Sequence, residues 1–154
     1  MSQRSQPIVW VLVADGEHAR VVSPVETEGR FATRIAFDPA SARLRPDQGA
    51  GEVAKVYEAA EAGHHAQKPA RDPKVLGEIG FAASVAQHIN AHAQRQDFDQ
   101  LVLVAPGRTL HHLRDALSAQ AMAKVVGSES KDFARLNDHD LSPHLAGWWL
   151  APAS

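Results

Sequence analysis

The chain is predicted to be an α/β domain, a five-stranded mixed sheet with helices on its faces. An apolar, β-branched run, IVWVLVA at residues 8–14, is followed by two more strand-like segments with only short turns between them. A second unbroken apolar run, QLVLVA at residues 100–105, lies far downstream. Segments with apolar residues at helical spacing stand between and after these strands. An antiparallel β-β-β meander followed by α-β-α-α-β-α closes as one sheet within a single domain.

Each element has a local cause. The first strand ends at Asp15-Gly16, a dipeptide suited to a tight hairpin turn, in which Asp bonds its own backbone. Residues 19–25 (ARVVSPV) form the second strand, with Pro24 near its end, where a missing donor is tolerated. After a turn at Glu28-Gly29, the residues Phe31, Thr33, Ile35 and Phe37 alternate with smaller or charged ones, marking a half-exposed third strand. Asp38-Pro39 ends it. Residues 39–72 then read as a mobile insertion, rich in Pro, Gly, Ser and Arg at first, with a short helix at about 52–62 stopped by Gly63.

Asp72-Pro73 is a helix start: Asp at the N-cap and Pro at the first helical position. The helix is expected to reach about Gln96, with Val75, Ile79, Ala82, Val85, Ala86 and Ile89 on one face. The uninterrupted apolar character of residues 100–105 marks a strand buried on both sides. Pro106, Gly107 and Arg108 read as a loop, and Thr109 as the cap of a helix carrying Leu110, Leu113 and Leu117. Ser118 caps a second short helix that includes Met122, and Val125-Val126 begins the last strand. A closing helix over residues 138–147 is interrupted or restarted at Pro143.

Composition narrows the function classes. The formal net charge of −2 provides no field of one sign to draw nucleic acid or a membrane to the whole surface, so any RNA contact is local. The absence of cysteine excludes disulfides, thiolate nucleophiles and cysteine-type zinc sites, and fits a cytoplasmic protein. The first apolar run is too short to span a bilayer and makes a poor signal peptide; it reads as a buried strand.

Residues 9–22 (VWVLVADGEHARVV) resemble the opening strand and hairpin of the bacterial host-attachment protein family, the "protein required for attachment to host cells". Residues 98–110 (FDQLVLVAPGRTL) resemble its central strand and following helix start. Leu117-Ser118, Lys131 to Phe133 and residues 138–145 resemble its ending. The likeness covers nearly the whole chain and is weakest over residues 39–61. That family is similar in turn to the middle domain of archaeal and eukaryotic class-one peptide-chain release factors. The resemblance implies a ribonuclease-H-like fold and a translation-related role. In those factors a Gly-Gly-Gln loop just before the long helix enters the peptidyl-transferase centre. Gly63, His64, His65, Ala66 and Gln67 stand in the corresponding place here and are not Gly-Gly-Gln.

Two anion-binding stretches follow. In the loop before the long helix, His64, His65, Lys68 and Arg71 are suited to phosphate, and Gln67 to a base or a peptidyl-tRNA end. Gly107, Arg108 and Thr109 join a buried strand to a helix N-terminus, the place where open α/β sheets take ligands. A plain β-to-α turn looks the same, and residues 40–72 carry as many acids as bases. Neither cofactor nor metal is expected. His88 and His92 have chelating spacing but sit at the edge of the buried face, and no carboxylate set supports a nuclease. The expected function is a non-enzymatic binding module for RNA or the ribosome. The alternatives are a hydrolase of peptidyl-tRNA or phosphoesters, with His64, His65 and Gln67 positioning water, and a protein-interaction module. The last would use Trp148 and Trp149, provided that at least one does not simply pack back on the domain.

Overall fold

The computed structural model describes residues 7–37 and 72–149. The predicted insertion and its short helix lie outside them. Within them stand strands β1 (Val9–Ala14), β2 (Ala19–Pro24), β3 (Phe31–Phe37), β4 (Gln100–Ala105) and β5 (Val125–Ser130). The helices are α1 (Pro73–Gln94), α2 (Gly107–Ala116), α3 (Ala119–Met122) and α4 (Asp138–Leu141), the last continuing as a 3-10 helix over Ser142–Trp148. The strands make the expected five-stranded mixed sheet, in the order β3-β2-β1-β4-β5. β2 runs antiparallel to β1 and β3, while β4 runs parallel to β1 and β5.

Strand periodicity divides the core into two layers, because successive side chains leave opposite faces of a sheet. Trp10, Leu12, Leu101 and Leu103 meet Phe81, Val85 and Ile89 of α1 and Leu110 and Leu113 of α2. Val9, Val11, Val13, Val102 and Val104 face the other way, onto Ala134, Leu141 and Leu145, with Trp148 and Trp149 at the margin. Every residue of β1 is buried, and so are five of the six in β4. Full burial of each valine and leucine among them stabilises by about 1.5–3 kcal/mol, so the central pair anchors both layers.

The caps at Asp72 and Ser118 form as expected, accepting from the backbone N–H groups of Lys74 and Ala121. Three readings change. β3 does not present Phe31, Thr33, Ile35 and Phe37 on one face. Val22 pairs with Thr33 and Val21 with Ile35, so Arg34 is an extra residue in the ladder. That bulge flips the side-chain alternation. Phe31 therefore enters one core layer and Phe37 the other. Secondly, α1 ends at Gln94 rather than Gln96. Gln96 takes φ 62, and Gln96 N and Asp97 N donate to Ala93 O and His92 O. This is a Schellman closure built on glutamine instead of glycine. Thirdly, Thr109 is not a cap. α2 begins at Gly107, with Pro106 at its N-cap and no side chain capping the first turn. Leu117 lies just past α2 as an extended residue, still buried. The closing helix changes type at Ser142, one residue before Pro143.

Candidate functional site: a cleft at the carboxyl ends of the parallel strands

β1 and β4 lie side by side in parallel, yet the chain leaves them in opposite directions. After β1 it turns back into β2, and after β4 it passes through α2 and α3 to β5. Such a divergence opens a crevice beyond the carboxyl ends of the strands. α1 returns the chain to the start of β4, so its first turns stand at this same end. The cleft measures about 290 Å3. Its walls are the β1–β2 turn (Asp15, Gly16, Glu17), the start of α1 (Lys74, Glu78), the β4–α2 junction (Pro106, Arg108, Thr109), and Asp132 and Arg135 from the segment after β5.

Of the four acids on this surface, Asp15 and Glu78 are engaged. Asp15 Oδ1 accepts from the backbone N–H groups of Glu17 (2.8 Å) and His18 (2.6 Å), and His18 Nδ1 lies 3.1 Å away. These contacts fix the turn. The guanidinium of Arg135 approaches Asp15 Oδ2 only to 4.0 Å. Glu78, with its side chain 11% exposed, sits 3.2 Å from Nη2 of Arg108, whose side chain is 61% exposed. Gly16 permits this pair, because a Cβ there would come within 2.7 Å of Glu78 Cγ. Lys74 forms no ion pair among the described residues and is exposed.

The first turn of α2 supplies the opposite polarity. Its leading N–H groups have no side-chain cap, and such groups are ready partners for an anion. Thr109 is 6% exposed, and its hydroxyl makes no hydrogen bond among the described residues. At Gly107 an added Cβ would make only ordinary contact, 3.6 Å from Ser130 Oγ, so the fold does not itself require glycine there.

The chain belongs to the host-attachment family. A family model described as "protein required for attachment to host cells" matches residues 10–145, most of the chain and all of the cleft. No curated protein matches it at a significant level. The family description names a phenotype, so the chemistry has to come from the residues.

Of the expected site residues, Arg108 and Thr109 line the cleft and Gly107 belongs to the same helical turn. Gly63, His64, His65, Gln67, Lys68 and Arg71 lie outside the described residues; the chain re-enters at Asp72, the N-cap of a helix that forms one wall. The sequence reading took Asp15 only as a turn residue and did not join Glu78 to Arg108. Lys74 and Arg135 were missed, and Asp132 entered only within the Lys131 to Phe133 resemblance, not as a site residue. They carry no motif, and only the fold brings their separate connections together.

His88 and His92 both pack against the aromatic core. His92 Nδ1 lies 2.7 Å from Asp97 Oδ2 and its ring meets Trp10 edge-on, while His88 packs on Phe37. Among the described residues no group of three or more His, Cys, Asp or Glu side chains is arranged to hold a metal. Both terminal tryptophans pack back on the domain. Trp148 Nε1 donates to Glu129 Oε2 at 3.0 Å, and Trp149 Nε1 to Val25 O at 3.1 Å. Among the described residues no helix is long and apolar enough to cross a membrane.

Proposed function

We propose that this domain is a non-enzymatic binding module for RNA, free or within the ribosome, and that it works in the cytoplasm. The observation that carries this reading is the uncapped N-terminus of α2, set beside Arg108 at the carboxyl ends of the parallel strands. Free N–H groups and a positive helix end stabilise a phosphate oxygen, and a guanidinium matches its geometry. Lys74 and Arg135 flank the position and supply two further cations to a lining that also carries Asp15, Glu17, Glu78 and Asp132. The segment from Gly63 to Arg71, which precedes Asp72 in the sequence, is added on the sequence resemblance to release-factor middle domains alone. The net charge of −2 gives no field over the whole surface to draw RNA, so the contact is a local one.

The test is fluorescence anisotropy with single-stranded RNA, and co-sedimentation with ribosomes, from about 50 to 200 mM salt. Binding should weaken steeply as salt rises. The Arg71→Ala, Arg108→Ala double variant should lose about tenfold or more, as expected when charge-assisted phosphate contacts are removed. The proposal is lost if the wild type binds neither partner, or if the double variant binds as well as the wild type.

A further inference from the structure

The pairing of Glu78 with Arg108 has an implication for the type of ligand. A carboxylate that is 11% exposed holds Arg108, an arginine of the uncapped first turn of α2. Beneath them, the Thr109 side chain is more than nine-tenths buried, and its hydroxyl lacks a partner among the described residues. Three kinds of donor therefore converge: helix N–H groups, a hydroxyl and a guanidinium. Only the guanidinium is occupied, and it is occupied by an anion from the protein itself. Asp15 does not pair with Arg108: its Oδ1 accepts from the turn, and its Oδ2 faces His18 Nδ1 at 3.3 Å and Arg135 Nε at 4.0 Å.

We propose that the cleft is a gated site for a terminal phosphate, in which the phosphoryl group of a phosphate monoester replaces the Glu78 carboxylate on Arg108. The ligand oxygens then accept from Arg108, from the Thr109 hydroxyl and from the first-turn N–H groups of α2. The inference rests on reading the cleft as the anion-binding surface and deepens it by naming the group bound. Charge and size both select a chain end. A monoester carries nearly two negative charges near neutral pH and outcompetes a carboxylate better than the single charge of an internal diester. At about 290 Å3, the space matches the smallest small-molecule pockets, about 300 Å3, and so takes a terminal nucleotide rather than a duplex. Gly16 sets the gate, since any larger residue would push Glu78 off its line to Arg108.

Calorimetric titration of the full chain with a nucleoside 5′-monophosphate, and with matched oligonucleotides bearing a phosphate or a hydroxyl end, tests this. The phosphorylated end should bind about tenfold more tightly. Glu78→Gln should strengthen monophosphate binding several-fold by removing the competing charge. Thr109→Val should weaken it about tenfold, and Thr109→Ser should restore it, which separates a lost hydroxyl from damaged packing. Equal affinity for the two ends, or an unchanged or weaker affinity in Glu78→Gln with circular dichroism intact, overturns the gate. If long RNA binds with no end preference, the gated site falls while the binding-module reading stands. If monophosphate binds as described but long RNA is ignored, the site stands and the RNA module falls.

Discussion

His112 is the residue at which protonation and folding are most directly coupled. Its ring is partly buried on α2, and Nε2 is sealed from solvent without a hydrogen-bond partner. Burial lowers its pKa below the ordinary 6.5, with the neighbouring His111 acting in the same direction. The unfolded chain therefore holds more protons than the folded one between the lowered value and 6.5. Stability rises with pH across that window, is fully present above it, and is lost as pH falls through it. Urea unfolding at about pH 7.5 and pH 5.5 should show the wild type losing more stability than His112→Leu. Asp97 behaves differently because the hydrogen bond from His92 lowers its pKa from 3.8, so its contribution is lost only in stronger acid. Trp10 Nε1 is likewise sealed without a partner, although the ring itself is well packed, stacked on Phe98 and met by Arg34.

At the scale of elements, the clearest departure from ideal chemistry is the end of α1. Gln96 holds a left-handed conformation that glycine adopts without steric cost. Gln96→Gly should therefore raise stability by about 0.5–1 kcal/mol, after allowing for glycine's freedom in the unfolded chain. Thermal melting checks it, and a lower melting temperature would mean that the Lys124 contact to Gln96 Oε1 matters more than backbone strain. The caps at Asp72 and Ser118 and the buried runs of β1 and β4 were legible in the sequence because each arises from adjacent residues. The bulge at Arg34 was not, since no residue type there announces an extra position. The start of α2 was misplaced because Thr109 is a good cap in isolation, whereas the chain had already turned at Pro106. Of the cleft, only the segment 107–109 was legible. Its other walls come from separate connections whose meeting is a property of the sheet.

For the molecule as a whole, Arg20 fastens the connection after β5 to the sheet. Its guanidinium donates to Ala134 O at 2.8 Å, to Leu136 O, and to Asp138 Oδ1 at 3.2 Å. Asp138 in turn accepts from the backbone and hydroxyl of Thr33. One side chain of β2 thus orders the segment that carries Asp132 and Arg135 to the cleft. Arg20→Met should cost about 2–4 kcal/mol in urea unfolding, because it strands carbonyls and a carboxylate that are only partly exposed. A loss below about 0.5 kcal/mol, typical of a surface site, would show that the segment is held by its apolar contacts alone.

The backbone N–H of Ile8, just before β1, donates to Asp99 Oδ2 across 91 residues of chain, and β4 zips along β1 beyond that link. The consequence lies in time. A chain emerging amino-terminus first makes the meander long before β4 exists. Through that interval β1 has a bare edge and valines with nothing opposite them. Closing so large a loop is slow, and an unpaired apolar strand is the part most open to capture by a neighbouring chain. The strand most deeply enclosed in the finished protein is thus the one most at risk during synthesis.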